Sequence, residues 1–283
     1  MTADMRVAKT DDPDTIIAYL TKENNIAQVK AALVLGIRDY FSKMGFTKAI
    51  LGSSGGIDSA VTSTLCAKTG FPVLCVEMPI HQGKDQVSRS KNHIEWLKEK
   101  YPNVSSMLIN LDNTFDSFVD SIPKIKSPEN ELSLANTRSR LRMVTLYYFS
   151  ALNKYIVAGT GNKVEDFGIG FYTKYGDGGV DISPIADLLK SEVYSLAEFF
   201  CISNEIIKAK PTDGLWNDNR NDEDQIGASY NELERSMQIA DRLDQDLSDR
   251  EKEVLKIYKS LNSSNRHKML PIPVCKIPKD YLR

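Results

Sequence analysis

Apolar positions along the chain alternate between two spacings, and this alternation predicts the fold class. Four short apolar runs are typical of strands, at residues 49–51, 73–78, 107–111 and 155–158. Between them, apolar residues recur at helical spacing over residues 57–68, 84–100 and 131–153. Strands separated by helices predict an α/β fold, with a Rossmann-like parallel sheet covered by helices on both faces. Ligands of such sheets bind beyond the carboxyl ends of the strands.

Helical patterns also flank the predicted sheet. An amphipathic helix is predicted at residues 25–44, and Asp12 followed by Pro13 predicts the start of an earlier helix. A further helical pattern covers residues 225–261, before an irregular tail. We therefore expect a single domain over residues 1–283, with an N-terminal helical segment at about 1–45 and a C-terminal helical segment at about 225–283.

The first predicted strand runs through a glycine- and serine-rich turn into a predicted helix. The turn comprises Gly52, Ser53, Ser54, Gly55, Gly56, Ile57, Asp58 and Ser59. Such a turn directs backbone N–H groups and the positive end of a helix towards one point, which suits a phosphate. Asp58 would repel a phosphate unless a cation lies between them, so the turn implies Mg²⁺. It lacks the Lys-Ser/Thr ending of kinase-type phosphate loops and the G-x-G-x-x-G dinucleotide pattern.

A second carboxylate, Glu165, follows the fourth predicted strand. Residues 159–162 end that strand, so they should face the turn that carries Asp58. The two carboxylates are therefore candidates to share a Mg²⁺ that bridges ATP phosphates. A glutamate that opens a helix usually acts as a cap or dipole partner, and the residues alone leave this alternative open.

Two polar stretches are predicted to be loops. Residues 168–179 contain five glycines among twelve residues, which disfavours regular structure and predicts a mobile loop. Closure of such a loop would exclude water from a reactive intermediate. We expect it, together with residues 212–224, to become ordered when substrates bind.

Composition narrows the functional classes. The 283 residues carry a formal net charge of −2, which gives no electrostatic case for nucleic acid or an anionic membrane surface as a partner. No run of 18 apolar residues and no N-terminal signal core occur, so a soluble, cytoplasmic protein is expected. The four cysteines form no C-x-x-C pair, and the three histidines lack metal-ligand spacing.

Two motifs resemble those of known families. The Ser-Gly-Gly-x-Asp-Ser run matches the signature of the ATP-pyrophosphatase superfamily, and a chance match is expected at about one start position in 10⁶. Residues 171–181, Phe-Tyr-Thr-Lys-Tyr-Gly-Asp-Gly-Gly-Val-Asp, resemble the hallmark motif of ammonia-dependent NAD synthetases. Similarity to that family extends over roughly residues 40–268.

This resemblance implies a carbon–nitrogen ligase. In that family, the carboxylate of deamido-NAD (nicotinic acid adenine dinucleotide) attacks the α-phosphate of ATP and pyrophosphate leaves. Ammonia then displaces AMP from the acyl-adenylate to give NAD. Such chemistry depends on electrostatic stabilisation of the leaving pyrophosphate and needs no nucleophilic side chain.

The resemblance also implies roles for individual residues. Residues 52–59 would hold the ATP phosphates, with Asp58 and Glu165 on magnesium. Asp177 matches a position associated with a second magnesium and with the ammonia site, although an ordinary turn aspartate is the plain alternative. The remaining ATP contacts of the family match Thr160, Lys190 and Thr212. The candidate catalytic residues are therefore Asp58, Glu165, Asp177 and Lys190.

A second set of residues matches the family's contacts with deamido-NAD: Tyr40, Asn136, Arg140, Lys174, Asp181, His267 and Lys268. Family spacing alone selects Arg140 over its neighbours Arg138 and Arg142. Tyr40 resembles a tyrosine near the dimer interface of the family, although helix packing is the better explanation for Tyr40 taken alone. A homodimer is the family expectation.

The chain departs from the family pattern at two places. Glu77 stands where many members have an arginine that contacts ATP, so a cation near the nucleotide is missing. Residues 161–163, Gly-Asn-Lys, replace an Asp-His-Ala type sequence and resemble archaeal and glutamine-dependent relatives. Glutamine-using forms carry an additional amidase domain, for which 283 residues leave no room. Free ammonia is therefore the expected donor, unless a separate subunit supplies it.

Three alternatives use similar residues. A GMP synthetase core would have the same phosphate loop but would lack the motif at residues 171–179. A tRNA-modifying sulfurtransferase would show basic stretches or paired cysteines, and the sequence has neither. A sensor that binds ATP without turnover would need fewer charged groups than the four candidate catalytic residues provide.

Overall fold

The computed structural model describes residues 26–212, 214–216, 221–240, 242 and 246–281. The predicted helix start at Asp12 and Pro13 lies outside these residues. The first elements are α1 (Ile26–Met44), β1 (Ala49–Gly52), α2 (Ile57–Lys68), β2 (Val73–Glu77), α3 (Lys84–Lys100), β3 (Val104–Leu108), α4 (Asp112–Ser121), α5 (Pro128–Asn153) and β4 (Ile156–Val157). They are followed by a π-helix (Val164–Ile169), α6 (Lys190–Phe199), α7 (Asn204–Ile207), α8 (Asp222–Ile226), α9 (Tyr230–Ile239), α10 (Asp249–Met269) and a 3₁₀ turn (Lys279–Tyr281).

The described strands form one parallel sheet in the order β3-β2-β1-β4. Ile50 in the central strand β1 is paired with Leu74 on one side and with Val157 on the other. An additional parallel bridge joins Ala158 to Ile182 beyond the end of β4. The predicted parallel sheet is therefore confirmed, and its carboxyl ends present the segments that follow β1 and β4 side by side.

Helices cover both faces of the sheet, as the apolar pattern predicted. Leu51 faces a core shared by α1, α2 and α6, whose buried members include Phe41, Leu65 and Leu196. Its neighbour Ile50 faces the opposite core, which includes Val76, Ile80, Phe115 and Val157. Adjacent residues of β1 thus point to opposite layers, as expected of a strand buried on both faces.

The third strand lies earlier than the sequence predicted, and the helix after it was not predicted. β3 spans Val104–Leu108, whereas the apolar pattern indicated residues 107–111. β3 is an edge strand in which only Val104 is buried. Because a single buried position requires few apolar residues, the apolar pattern that would mark this strand in the sequence is weak. The Asn110 side-chain oxygen accepts the Asp112 N–H at 2.8 Å, which turns the chain into α4.

The helical pattern over residues 225–261 is divided between two helices, a division that the prediction did not include. The described residues form the separate helices α9 and α10, and the short helix α8 starts inside the predicted loop at residues 212–224. Ser229 caps α9 together with Glu232, and Ser248 caps α10 together with Glu251. Each capping box satisfies the free N–H groups of a new helix start, so the helical pattern is interrupted.

The C-terminal helices pack against the π-helix. Val164 and Ile169 of the π-helix form a third apolar core with Leu233 of α9 and Val254 of α10. This contact places α9 and α10 beside the carboxyl end of β4. None of the described helices is sufficiently long and apolar to cross a membrane.

Candidate active site

The segment between β1 and α2 forms a tight turn closed by its own hydroxyl groups. The Ser59 hydroxyl donates to the Gly56 carbonyl at 2.9 Å, and the Ser54 hydroxyl accepts the Gly56 N–H at 3.2 Å. Gly55 has φ +78°, and a Cβ there would lie 2.5 Å from the backbone oxygen of Gln86 in α3. Only glycine allows both the positive φ and this close approach, so α3 can support the turn directly.

Asp58, in the first turn of α2, takes part in a three-residue ion cluster. The Lys190 ammonium lies 2.6 Å from an Asp58 carboxylate oxygen and 3.0 Å from a Glu165 carboxylate oxygen. Lys190 is 2% exposed and begins α6, while Glu165 belongs to the π-helix. The cluster therefore joins three segments that are distant in sequence. It also brings together three of the four candidate catalytic residues.

The local electrostatics favour a protonated Lys190. Burial disfavours its charge, but the Asp58 and Glu165 carboxylates more than compensate and raise the pKa of Lys190 above its ordinary value. Burial also opposes the ionisation of Glu165, yet Lys190 and a hydrogen bond from Tyr230 lower the pKa of Glu165. The side chains of the cluster thus hold a localised cation between two carboxylate groups.

Three residues that sequence reasoning did not assign to the site orient this cluster. The fully buried Asn162 donates to Asp58 at 3.1 Å and accepts the Glu165 N–H at 3.2 Å. The Tyr230 hydroxyl lies 2.5 Å from a Glu165 oxygen and 3.2 Å from an Asp222 oxygen. Tyr230 lies on α9, 65 residues from Glu165, so no local sequence signal connects the two.

The π-helix places a further carboxylate, Asp166, next to the cluster. A Cβ on Gly161 would lie 2.1 Å from an Asp166 oxygen, so this carboxylate occupies the space beside Gly161. Burial, reinforced by the negative charges of Glu165, Asp177 and Asp58, raises the pKa of Asp166 to about 8. π-Helical segments are often found at functional sites, although no pattern in the sequence predicts this one.

All residues proposed to bind ATP line one pocket beyond the carboxyl ends of the strands. The wall includes the whole turn of residues 52–59, together with Thr160, Lys190 and Thr212. Glu165 and Asp177 line the same pocket. The structure therefore brings the turn after β1 and the segments after β4 to one place, as the strand order requires.

Five of the residues proposed to bind deamido-NAD gather around the glycine-rich turn of residues 173–177. The Thr173 hydroxyl donates to Asn136 at 2.6 Å, and the exposed Arg140 guanidinium donates to the Lys174 carbonyl at 3.3 Å. The Lys174 ammonium donates to the His267 carbonyl at 2.7 Å. Lys268 extends from α10 and donates to the Gly170 carbonyl at 2.9 Å. None of these five lines the pocket of the turn at residues 52–59, which is called the phosphate turn below.

Tyr40 and Asp181 belong to a different neighbourhood. Asp181 accepts the Tyr147 hydroxyl at 3.0 Å and the Val157 N–H at 2.9 Å. Burial, followed by the Asp181 carboxylate and a smaller effect of Tyr40, raises the pKa of Tyr147. Tyr40 is half-buried against the core of α1 and α2, and the structure does not bring it to the glycine-rich turn.

Asp177 is positioned by a residue of α5 that the sequence did not single out. The buried Ser139 hydroxyl donates to an Asp177 oxygen at 2.6 Å and accepts the Asp177 N–H at 2.8 Å. The same Asp177 oxygen accepts the Thr173 N–H at 3.0 Å. The glycine-rich turn is thereby fixed to α5 with its carboxylate at the pocket wall.

The donor set fits a magnesium ion in its chemistry. Asp58 and Glu165 offer the carboxylate oxygens that Mg²⁺ prefers, and they already converge on one cation, the Lys190 ammonium. Among the residues described, no group of three or more His, Cys, Asp or Glu side chains is placed to hold a metal by itself. An ion at this position would therefore need ligands from the substrate or water, as is usual for Mg²⁺ at nucleotide sites.

Comparison with known proteins identifies the family. The family model for NAD synthase matches residues 29–271. The NH(3)-dependent NAD(+) synthetase of Syntrophomonas wolfei is 34% identical over 270 residues, which cover 94% of this chain and 98% of the relative. The corresponding enzyme of Carboxydothermus hydrogenoformans is 38% identical over 205 residues, 71% of this chain and 81% of the relative.

One solved structure that resembles this chain belongs to an enzyme named for a related activity. The NMN synthetase of Francisella tularensis has a TM-score of 0.79 and 26% identity, and the match covers 89% of this chain and 99% of that chain. The family model covers most of the chain, and the Syntrophomonas relative is matched almost from end to end. The chain therefore belongs to the NAD synthase family.

Proposed function

We propose that the protein is an ammonia-dependent NAD synthetase. It uses ATP to amidate deamido-NAD with ammonia, and it releases NAD, AMP and pyrophosphate. The observation that carries this proposal is the meeting of the phosphate turn with the Asp58–Lys190–Glu165 cluster in one pocket. Family membership and the NH(3)-dependent relatives support the same activity.

The chain's own residues would divide the reaction between two places. The turn of residues 52–59 and the positive end of α2 border the pocket, where they would attract the ATP phosphates. Asp58 and Glu165 would hold Mg²⁺, which when bound neutralises the developing charge of pyrophosphate. Lys190 places a protonated amine beside the same phosphates. The nicotinate carboxylate can then displace pyrophosphate without a covalent enzyme intermediate.

Asp177 and its supports would serve the second half-reaction. Ammonia must attack the carbonyl carbon of the acyl-adenylate, which forms a C–N bond, releases AMP and leaves a proton to be removed. Asp177 borders the pocket and is fixed by Ser139 and Thr173, so it can hold the incoming nitrogen by hydrogen bonding. Asn136, Arg140, Lys174, His267 and Lys268 surround the adjoining turn, where they would bind the dinucleotide.

A second candidate substrate follows from the likeness to NMN synthetase. The same amidation chemistry acting on nicotinic acid mononucleotide would give NMN. That reaction needs the same phosphate turn and ion cluster but no contacts with a second nucleotide. The relatives named for NAD synthesis cover the chain at higher identity, so deamido-NAD remains the proposed substrate.

The reaction is tested directly with purified protein. With ATP, Mg²⁺, ammonium and deamido-NAD, chromatography should show equal amounts of NAD, AMP and pyrophosphate. Parallel reactions replace deamido-NAD by nicotinic acid mononucleotide, or ammonium by glutamine, and both should be slow. ADP and phosphate as products would refute the adenylation mechanism. Faster turnover of the mononucleotide would assign the protein to NMN synthesis instead.

Asp58→Asn and Glu165→Gln should each lower turnover about 10²-fold or more, because each removes charge that holds the metal against the leaving pyrophosphate. Each variant leaves Lys190 paired with the remaining carboxylate, so the fold should persist. Turnover is measured at saturating Mg²⁺, with thermal melting as the fold check. Glu95→Gln, an exposed carboxylate-to-amide change on α3, is the matched control. Wild-type turnover in either site variant would remove that residue from the metal site.

Ser139→Ala should weaken the use of ammonia specifically. Loss of the hydroxyl removes the 2.6 Å donor and leaves the Thr173 N–H to orient the Asp177 carboxylate, which is then less tightly fixed. We expect about a tenfold loss in kcat/KM for ammonium and an unchanged KM for ATP. Ser133→Ala, an exposed serine-to-alanine change on the same helix, should behave as wild type. An equal rise of both KM values would mean that Ser139 has only a structural role.

We also propose that the enzyme is a homodimer that uses an exposed face of α5. Val144, Tyr148 and Leu152 follow one another at helical spacing and are 57%, 63% and 64% exposed. Apolar side chains in such a row are typical of an interaction surface. Light scattering at micromolar concentration should give twice the chain mass of 31.7 kDa, and Tyr148→Glu should shift the species towards monomer. A monomeric wild-type protein would contradict the proposal.

A further inference from the structure

The side chain at position 77 does not face the nucleotide pocket. Glu77 is absent from the pocket wall, although it ends the strand next to the phosphate turn. Its carboxylate lies beside Ser90 and Lys91 of α3, and burial raises its pKa. The departure at this position therefore adds no negative charge to the pocket. However, β2 supplies no cation in place of the arginine that is missing at position 77.

A different cation reaches the phosphate turn from α3. Arg89 lines the pocket, and its Nε donates to the Gly55 carbonyl at 3.3 Å. The Arg89 side chain packs beside Gly55, where a Cβ would lie 3.3 Å from the Arg89 Cβ. In the same stretch of α3, the Ser90 hydroxyl contacts Ser53 at 2.9 Å. The guanidinium is thus carried by a helix that packs directly on the turn.

Arg89 differs from the other basic residues of the pocket in what it is bonded to. Lys190 is engaged by two carboxylates, and Arg142 donates from Nε to the Met78 carbonyl at 3.0 Å. Lys210 lies on an irregular segment after α7 and is exposed. Within the part of the chain that the structure describes, Arg89 forms no ion pair with a carboxylate. Its charge is therefore available to a ligand.

The charge balance of the pocket indicates why the Arg89 cation would matter for ATP binding. In the described wall of the pocket, four basic side chains face four acidic ones, Asp58, Glu165, Asp177 and Asp222. A triphosphate adds several negative charges to a wall with no positive excess. A guanidinium carries a positive charge and several N–H donors in one plane, and this geometry matches the oxygens of a phosphate.

We propose that Arg89 binds the triphosphate of ATP and supplies, from α3, the positive charge that position 77 of this chain lacks. Arg89 contacts the phosphate turn at Gly55, whereas Lys190 is bonded to Asp58 and Glu165. Its hydrogen bond to Gly55 orients the guanidinium before ATP arrives, which reduces the ordering needed on binding. This inference rests on the proposed use of ATP as co-substrate.

Binding of MgATP to the full-length protein, measured by calorimetry without the acceptor substrate, tests the proposal. Arg89→Gln should bind MgATP about 10- to 100-fold more weakly than wild type, since it loses a charged hydrogen bond to phosphate. Arg89→Lys keeps the charge and should lose less. Lys91→Gln removes the same charge two residues away on the same helix, outside the pocket wall, and should bind as wild type.

Two further readouts separate phosphate binding from a structural effect. The inhibition constant of adenosine, which competes with ATP but carries no phosphate, should be unchanged in Arg89→Gln. The KM for deamido-NAD should also be unchanged. Equal MgATP affinity in Arg89→Gln and wild type would overturn the role of Arg89 while leaving the proposed function intact. Parallel losses for adenosine and ATP, or an Arg89→Lys variant as weak as Arg89→Gln, would also overturn it. Absence of MgATP binding to wild type would overturn both.

Discussion

The ion cluster of Asp58, Lys190 and Glu165 is the interaction on which the arrangement of the site depends. A lysine that is 2% exposed is tolerated only because its ammonium meets two carboxylates at 2.6 and 3.0 Å. Those carboxylates come from the start of α2 and from the π-helix, while Lys190 starts α6. If any one of the three segments moved, a buried charge would lose its partner. The cluster therefore fixes the segments after β1 and β4 relative to each other.

The C-terminal helices complete this arrangement. Tyr230 of α9 bonds to Glu165, and its ring lies under the Lys190 ammonium at 4.6 Å from the ring centroid. On α10, Asn262, Asn265 and Lys268 donate to carbonyls of residues 168–172. These contacts satisfy backbone oxygens that the π-helix and the glycine-rich segment leave without partners. A π-helix next to the charge cluster is thus stabilised by α10, whose contacting residues lie 94 to 98 residues further along the chain.

Sequence reasoning succeeded where the signal was local. The bounds of α2 and α3 agree with the prediction because glycines precede both helices and apolar spacing runs through them. The edge strand β3 was misplaced because one buried residue gives no apolar pattern. The division between α9 and α10 was missed, although Ser229 and Ser248 each precede a glutamate by three residues. Those capping boxes were present in the sequence and could have been used.

Within the site, the same division holds between local motifs and long-range contacts. The phosphate turn and Glu165 were expected to meet, because motif and strand order together place them at one edge of the sheet. Lys190 was expected there from the family resemblance alone. Asn162, Ser139 and Tyr230 were missed because their roles arise from partners 104, 38 and 65 residues away. Arg89 depends likewise on how α3 packs on Gly55. The sequence around a polar residue on a helix does not indicate which loop its side chain will contact.

The glycine-rich segment shows how entropy and bonding compete at this site. Five glycines make residues 168–179 costly to order, which is why the sequence predicts a loop that closes on substrate. In the described structure the segment is bonded on both sides, to Ser139 of α5 and to Asn262, Asn265 and Lys268 of α10. Opening it would release donors from two helices at once. Any gating by this segment must therefore break bonds to both helices, because even Lys174 is held by Arg140 of α5 and by the His267 carbonyl of α10.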